Sequence, residues 1–209
     1  MGRSWPLQCF LIISLAGAVA VSPLAAEESP GKRPAEEGRP GAGEPPNEQI
    51  ARFKAYVLWK NGYLLHVIGE YDQAAAHFRE SIKTNPTAEA HTFLGWSLSK
   101  LGRIKEAISE CKKAIPLDPD FGNPYNDIGV YLIRLGRMDE AIPWLKKAMR
   151  AKRYCCYQFP HFNLGRVLLE KGRAAEAERL FKRALEYDPN YGPALKALEF
   201  IRQMEMTTL

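Results

Sequence analysis

Four histidines and four cysteines are the side chains best suited to bind a metal or attack a substrate: His66, His77, His91 and His161, with Cys9, Cys111, Cys155 and Cys156. None stands in a catalytic spacing. The chain has no G-x-S-x-G nucleophile turn, no H-E-x-x-H zinc helix, no phosphate-cradling G-x-x-x-x-G-K and no C-x-x-C-H haem attachment. No enzyme activity, cofactor or metal is therefore expected. Cys111 lies inside an apolar helical pattern and is read as core. Cys155 and Cys156 are adjacent, and a bond between neighbours needs strained geometry. They read as inert thiols, with a disulfide to another partner or a redox role as the alternatives. The cations Lys146, Lys147, Arg150, Lys152 and Arg153 could attract anionic lipid or an acidic protein. They are read instead as the solvated face and C-terminal end of a helix, where positive charge suits the dipole.

The elements that carry these residues are bounded by composition. The chain has 209 residues, 46% hydrophobic and 25% charged, which is ordinary for a globular protein. A wholly disordered chain, a collagen and a polytopic membrane protein are excluded. Four cysteines are too few for a fold built on disulfides. The net charge of +5 is a weak pointer to nucleic acid or an anionic membrane.

The charge is unevenly spread. Residues 1–26 hold one base, Arg3, and no acid, then an apolar run from Cys9 to Ala20 and the small residues Ala25 and Ala26. This is the pattern of a secretory signal peptide, cut after Ala26, with Ala20 a second candidate. An uncleaved membrane anchor is the alternative, although Ser22 and Pro23 interrupt a stretch that would need about 20 apolar residues to span. Residues 27–50 are rich in Pro, Gly and Glu, and the run from Ser29 to Pro46 has no apolar residue larger than alanine or proline. They are expected to be a flexible linker. With both segments set aside, residues 51–209 carry +7. Export also argues against nucleic acid as the partner.

The remainder is one motif repeated. Glycines recur at 62, 95, 129 and 165, and again at 69, 102, 136 and 172; alanines at 74, 107, 141 and 177 keep the same spacings of 33, 34 and 36. A period near 34 predicts stacked helical hairpins. The first glycine of each unit lies mid-helix and should let a neighbouring helix approach. The second should end that helix in the left-handed conformation. Asn85-Pro86, Asp118-Pro119 and Asp188-Pro189 should stop the second helix.

This pattern resembles the tetratricopeptide repeat (TPR) family: a helix carrying Leu-Gly, a Gly-x-hydrophobic turn, then A…F/L…A and a closing Asp-Pro. The resemblance implies an all-α fold, a right-handed superhelix (α-solenoid) of four helix-turn-helix repeats at about 55–88, 88–121, 122–155 and 158–191. A capping helix over 191–209 should follow, with Leu195, Leu198 and Ile201 inward. His91 and His161 share a repeat position and are expected to pack in place of an aromatic. The third repeat lacks the closing Asp-Pro and has two extra residues in AMRAKRYCCYQFPHF, which should alter the local stacking. Pro116 and Pro143 should shorten or bend their helices.

In this family the first helix of each hairpin lines a concave groove. The matching positions are rich in aromatic residues, which make economical anchors for a partner. The candidate partner-binding set is Tyr56, Trp59, Tyr63, Trp96, Asn126, Phe159, Phe162 and Arg166. A TPR subclass grips a carboxyl terminus with Lys and Asn where this chain has Trp59 and Tyr63, so that function is disfavoured. The expected protein is an exported, monomeric adaptor in the bacterial periplasm that holds a protein or peptide segment. Its alternative is a factor tethered to the cytoplasmic membrane, facing the periplasm, for assembly or secretion of an envelope complex. An enzyme using Cys155 or Cys156 is a distant third.

Overall fold

The structure, a computed structural model, describes residues 45–207. The expected signal peptide and most of the expected linker lie outside these residues. Residues from Ile50 onward form one unit.

Nine helices follow one another among the described residues: α1 (Pro46–Val67), α2 (Tyr71–Thr84), α3 (Ala88–Lys100), α4 (Ile104–Leu117), α5 (Gly122–Arg134), α6 (Met138–Ala148), α7 (Gln158–Glu170), α8 (Ala174–Tyr187) and α9 (Gly192–Thr207). Residues 46–50, expected as linker, are helical, and Pro46 opens α1 where its missing N–H costs nothing.

The periodic glycines explain the hairpins. At Gly102, φ is 77°, and Arg103 N–H reaches back to the Leu98 carbonyl at 2.9 Å. Gly172 does the same with φ 74°, through Arg173 and Leu168 at 2.9 Å. This six-to-one bond ends a helix only where the turn residue accepts positive φ. Each hairpin turn is thereby held to three residues. The mid-helix glycines serve packing. A Cβ on Gly165 would sit 2.5 Å from the Phe181 ring, and one on Gly129 would sit 2.6 Å from Leu145. Phe78, Cys111, Leu145 and Phe181 occupy the same place in successive hairpins, each fully buried. Burying a phenylalanine there contributes about 1.5–3 kcal/mol.

One buried cluster runs from Ala74 to Ile201, so the core belongs to the stack rather than to any hairpin. α9 closes it with Ala194 and Ile201 inward and Leu198 half-buried. Leu195 is 47% exposed, contrary to expectation; Ala194 takes the inward place beside Tyr191. Pro116 does not shorten α4, which has 14 residues like α2 and α8. It stands in the last turn, next to the end that Asp118-Pro119 imposes. α6, with Pro143, has 11 residues.

The loops between hairpins differ. Residues 85–87, 118–121 and 188–191 are short. Residues 149–157 replace them at the third junction and make a small core of their own from Tyr125, Ala148, Ala151 and Tyr154. Arg153 fastens this loop to the preceding one. Its N–H bonds the Asp120 carbonyl at 2.9 Å, and its own carbonyl accepts from Gly122 at 3.1 Å. Its guanidinium pairs with Asp118 and with Glu89 at 2.8 Å, and lies 4.1 Å above the Phe121 ring. Lys152 pairs with Asp120 at 3.3 Å. The basic run is therefore not one solvated face, because its last two members tie two loops together.

Candidate protein-binding face

The first helices of the four hairpins are joined side by side by polar side chains. His66 Nδ1 lies 3.0 Å from Ser97 Oγ, linking α1 to α3. Trp96 Nε1 donates to Asp127 Oδ2, linking α3 to α5. Asn163 Nδ2 donates to Asn126 Oδ1 at 3.1 Å, linking α5 to α7. These bonds keep α1, α3, α5 and α7 in register along one face.

At the α1–α3 end the face is aromatic. Tyr56 is 52% exposed and stacks on Trp59 at 6.1 Å, with Lys60 Nζ over its ring at 5.8 Å. Trp59 stacks on Tyr63 at 5.9 Å. Phe93 meets Trp59 edge-on at 5.3 Å and Tyr63 at 5.5 Å, and touches Trp96 at 4.5 Å. Trp59, Tyr63 and Trp96 are half-buried. Trp59 Nε1 is buried with no hydrogen-bond partner, so part of its desolvation is uncompensated. Phe93 was missed in sequence, although it is the hub of the group; its signal was an aromatic lying within one helical turn of Trp96.

In the α5–α7 part the face turns polar and closed. Asn126 is 8% and Asp127 9% exposed. Asn126 Nδ2 is 3.4 Å from Asp127 Oδ1. Burial raises the Asp127 carboxyl from 3.8 to about 7, opposed by the bonds from Trp96 and Asn126. Trp96 is thus fixed through its indole N–H, and Asn126 is engaged with two neighbours. Asp127 carried no separate signal in the sequence, because its partner comes from the preceding hairpin.

At the α7–α9 end a second aromatic group forms. Phe159 and Phe162 are half-buried and meet Tyr191 edge-on at 5.6 and 5.3 Å. Arg166 is exposed, its guanidinium 5.9 Å from the Phe162 ring centre. Seven of the eight expected residues therefore fall in two aromatic groups, Tyr56, Trp59, Tyr63 and Trp96 in one and Phe159, Phe162 and Arg166 in the other. Asn126 lies inside.

The nucleophiles do not join this face as a reactive centre. Burial pushes the Cys111 thiol well above its ordinary range, which keeps it protonated. Cys155 and Cys156 bring their sulfurs to 2.6 Å in the third junction. His91 and His161 do more than pack. His91 Nδ1 meets Glu110 at 2.7 Å, and His161 Nδ1–H donates to the Tyr157 carbonyl at 2.7 Å. Among the described residues no group of three or more His, Cys, Asp and Glu could hold a metal ion. No helix there is long and apolar enough to cross a membrane.

Helical hairpins of fixed period, sharing one core and aligning their first helices, define a helical-repeat solenoid. Family models described as tetratricopeptide repeat match residues 51–120, 123–155 and 159–191. Together they span more than half of the chain, which is a tetratricopeptide-repeat protein. A stretch of 103 residues is 36% identical to the human protein O-mannosyl-transferase TMTC2, covering 47% of this chain and only 12% of that protein. PilF of Pseudomonas aeruginosa superposes with a TM-score of 0.70 at 24% identity, covering 77% of this chain and 71% of that one. PilW, a type IV pilus biogenesis factor, gives 0.66 at 23% identity over 72% and 69%. YrrB, a TPR protein with an unusual peptide-binding site, gives 0.57 at 20% identity over 69% and 74%. At these identities the likeness is one of fold.

Proposed function

We propose that the protein is a non-catalytic adaptor that holds a polypeptide segment against the face of α1, α3, α5 and α7. One observation carries this reading: Tyr56 stands 52% exposed on top of a stacked Trp59 and Tyr63. A solvated helix face has no use for such a column, whereas a bound segment can cover it with large apolar contact at little entropy cost. An amphipathic helix or an extended strand would lay its apolar residues on the α1–α3 end and reach Phe159, Phe162 and Arg166 at the other.

Export is part of the same proposal. Residues 1–26 have the three-part layout of a signal, and the following Pro/Gly/Glu-rich segment would give the module reach. One similar fold, PilW, belongs to a type IV pilus biogenesis factor, which suits a role in assembling an envelope complex. The mass of the mature N-terminus decides the point: a start near Glu27 supports export, and a retained Met1 argues for a tether.

Selection of displayed peptides on the full chain tests the binding face. Enriched peptides should lose about tenfold or more in affinity for Tyr56→Asp and keep it for Lys83→Glu, on the exposed side of α2. Equal loss in both variants would remove the face from the account.

A further inference from the structure

The long third junction leaves a second feature, away from the aromatic face. Between α6 and α8 runs a cleft of about 670 Å³. Its floor is apolar: Ile142, Met149, Leu164, Leu168 and Leu180. Its rim is cationic: Lys146, Arg150, Arg173, Arg179 and Arg183. Glu176 is the one acid among the lining residues, and it is bonded by Arg173 at 2.6 Å. Arg183 pairs with Glu186. Lys146 and Arg179 act on Glu176 only through space, and both, like Arg150, are exposed. His161 lines the cleft without adding charge, since burial lowers its pKa.

The junction beside the cleft is the longest of the four. Where other junctions close in three or four residues, residues 149–157 take nine before α7 begins. The same loop diverts Lys152 and Arg153 into ion pairs with the preceding loop, which leaves Lys146 and Arg150 on the rim.

We propose that this cleft binds an acidic amphipathic helix of a partner protein, independently of the aromatic face. Apolar side chains at i, i+3, i+4 and i+7 would enter the floor, and carboxylates on either side would meet the rim. Guanidinium groups favour carboxylates through paired N–H donors, which makes Arg150 and Arg179 the discriminating residues. A bilayer surface cannot follow a furrow between two helices, so the apolar floor favours a helix over anionic lipid.

The probe is a synthetic helical peptide with leucine on one face and glutamate elsewhere, titrated into the full chain by fluorescence anisotropy. The control has the same composition with leucines spread round the helix. Saturable binding is expected, weakened about tenfold or more in Arg150→Glu with Arg179→Glu and for the control peptide, and the same loss is expected when both proteins also carry Tyr56→Asp to block the aromatic face. Lys146→Ala with Arg150→Ala, which introduces no repulsion, should give a smaller loss in the same direction. Circular dichroism confirms that each variant is folded. The proposal is overturned by absent binding, by charge-reversed variants that bind like the original, or by a control peptide that binds as well. Phosphatidylglycerol vesicles that bind through these arginines while the peptide does not would assign the cleft to lipid and also overturn it.

Discussion

The α1–α3 and α5–α7 parts of one face are made of opposite materials. Aromatic rings stack in the first, and their outermost member, Tyr56, is open to solvent. A chain of amide and carboxyl groups runs through the second, each already bonded to a neighbour and shielded from water. Both parts sit at equivalent repeat positions, so the repeat does not decide what a position does. Apolar rings that stay accessible retain area for a partner. Polar groups that satisfy one another inside the stack hold hairpins in register and have little left to offer.

The comparison can be broken at its supports. The largest effect is expected from Phe78→Ala, which empties a fully buried site beneath the first hairpin and next to Phe93. A loss of about 3–5 kcal/mol in denaturant unfolding is predicted. Asn126→Ala should cost less, about 1–3 kcal/mol, by removing the acceptor of Asn163 and the weaker of the two bonds to Asp127 in a buried site. An Asn126→Ala variant as stable as the parent would show that the polar half is not a register device.

Asp127 sharpens the contrast through pH. Its folded pKa stands at about 7 against an ordinary 3.8, so the folded state holds a proton that the unfolded state has released between those values. The contribution to stability is full below the unfolded pKa and is lost as pH rises through about 7. The melting temperature should therefore fall between pH 5 and pH 8, and Asp127→Asn should flatten that fall. An identical slope in both proteins would mean that Asp127 is charged in the fold throughout.

Two surface changes should barely move stability. Tyr56→Ala is expected to stay within about 0.5 kcal/mol of the parent, while removing most of the affinity for selected peptides. Arg103→Gln breaks an exposed pair with Glu106 at 2.6 Å, and no measurable change in melting temperature is expected. Arg137 with Glu140 and Arg173 with Glu176 repeat that pair, so a clear loss at Arg103 would point to a shared role at the hairpin turns.

The stack was legible because its signals are backbone requirements. Positive φ at Gly102 and close approach at Gly165 leave no choice of residue, and both recur at the repeat period. The aromatic end was legible for a similar reason, since Trp59 and Tyr63 share a helix and their spacing puts them together. Trp96 and Asn126 were placed on the correct helices, but their engagement was hidden. Asp127 and Asn163 approach them from neighbouring hairpins, across 31 and 37 residues of sequence. The third junction shows the same limit. Its two extra residues were visible, yet the bridge from Arg153 to Phe121 depends on how that slack is taken up.

The central claim is that the aromatic end of the first-helix face carries the partner. The direct test is photo-crosslinking in the native cell, with a benzophenone amino acid placed at Tyr56 in one strain and at Lys83 in another. The account predicts a discrete polypeptide adduct from position 56 that is absent from position 83. Adducts of equal yield at both positions, or adducts at position 83 alone, would contradict it.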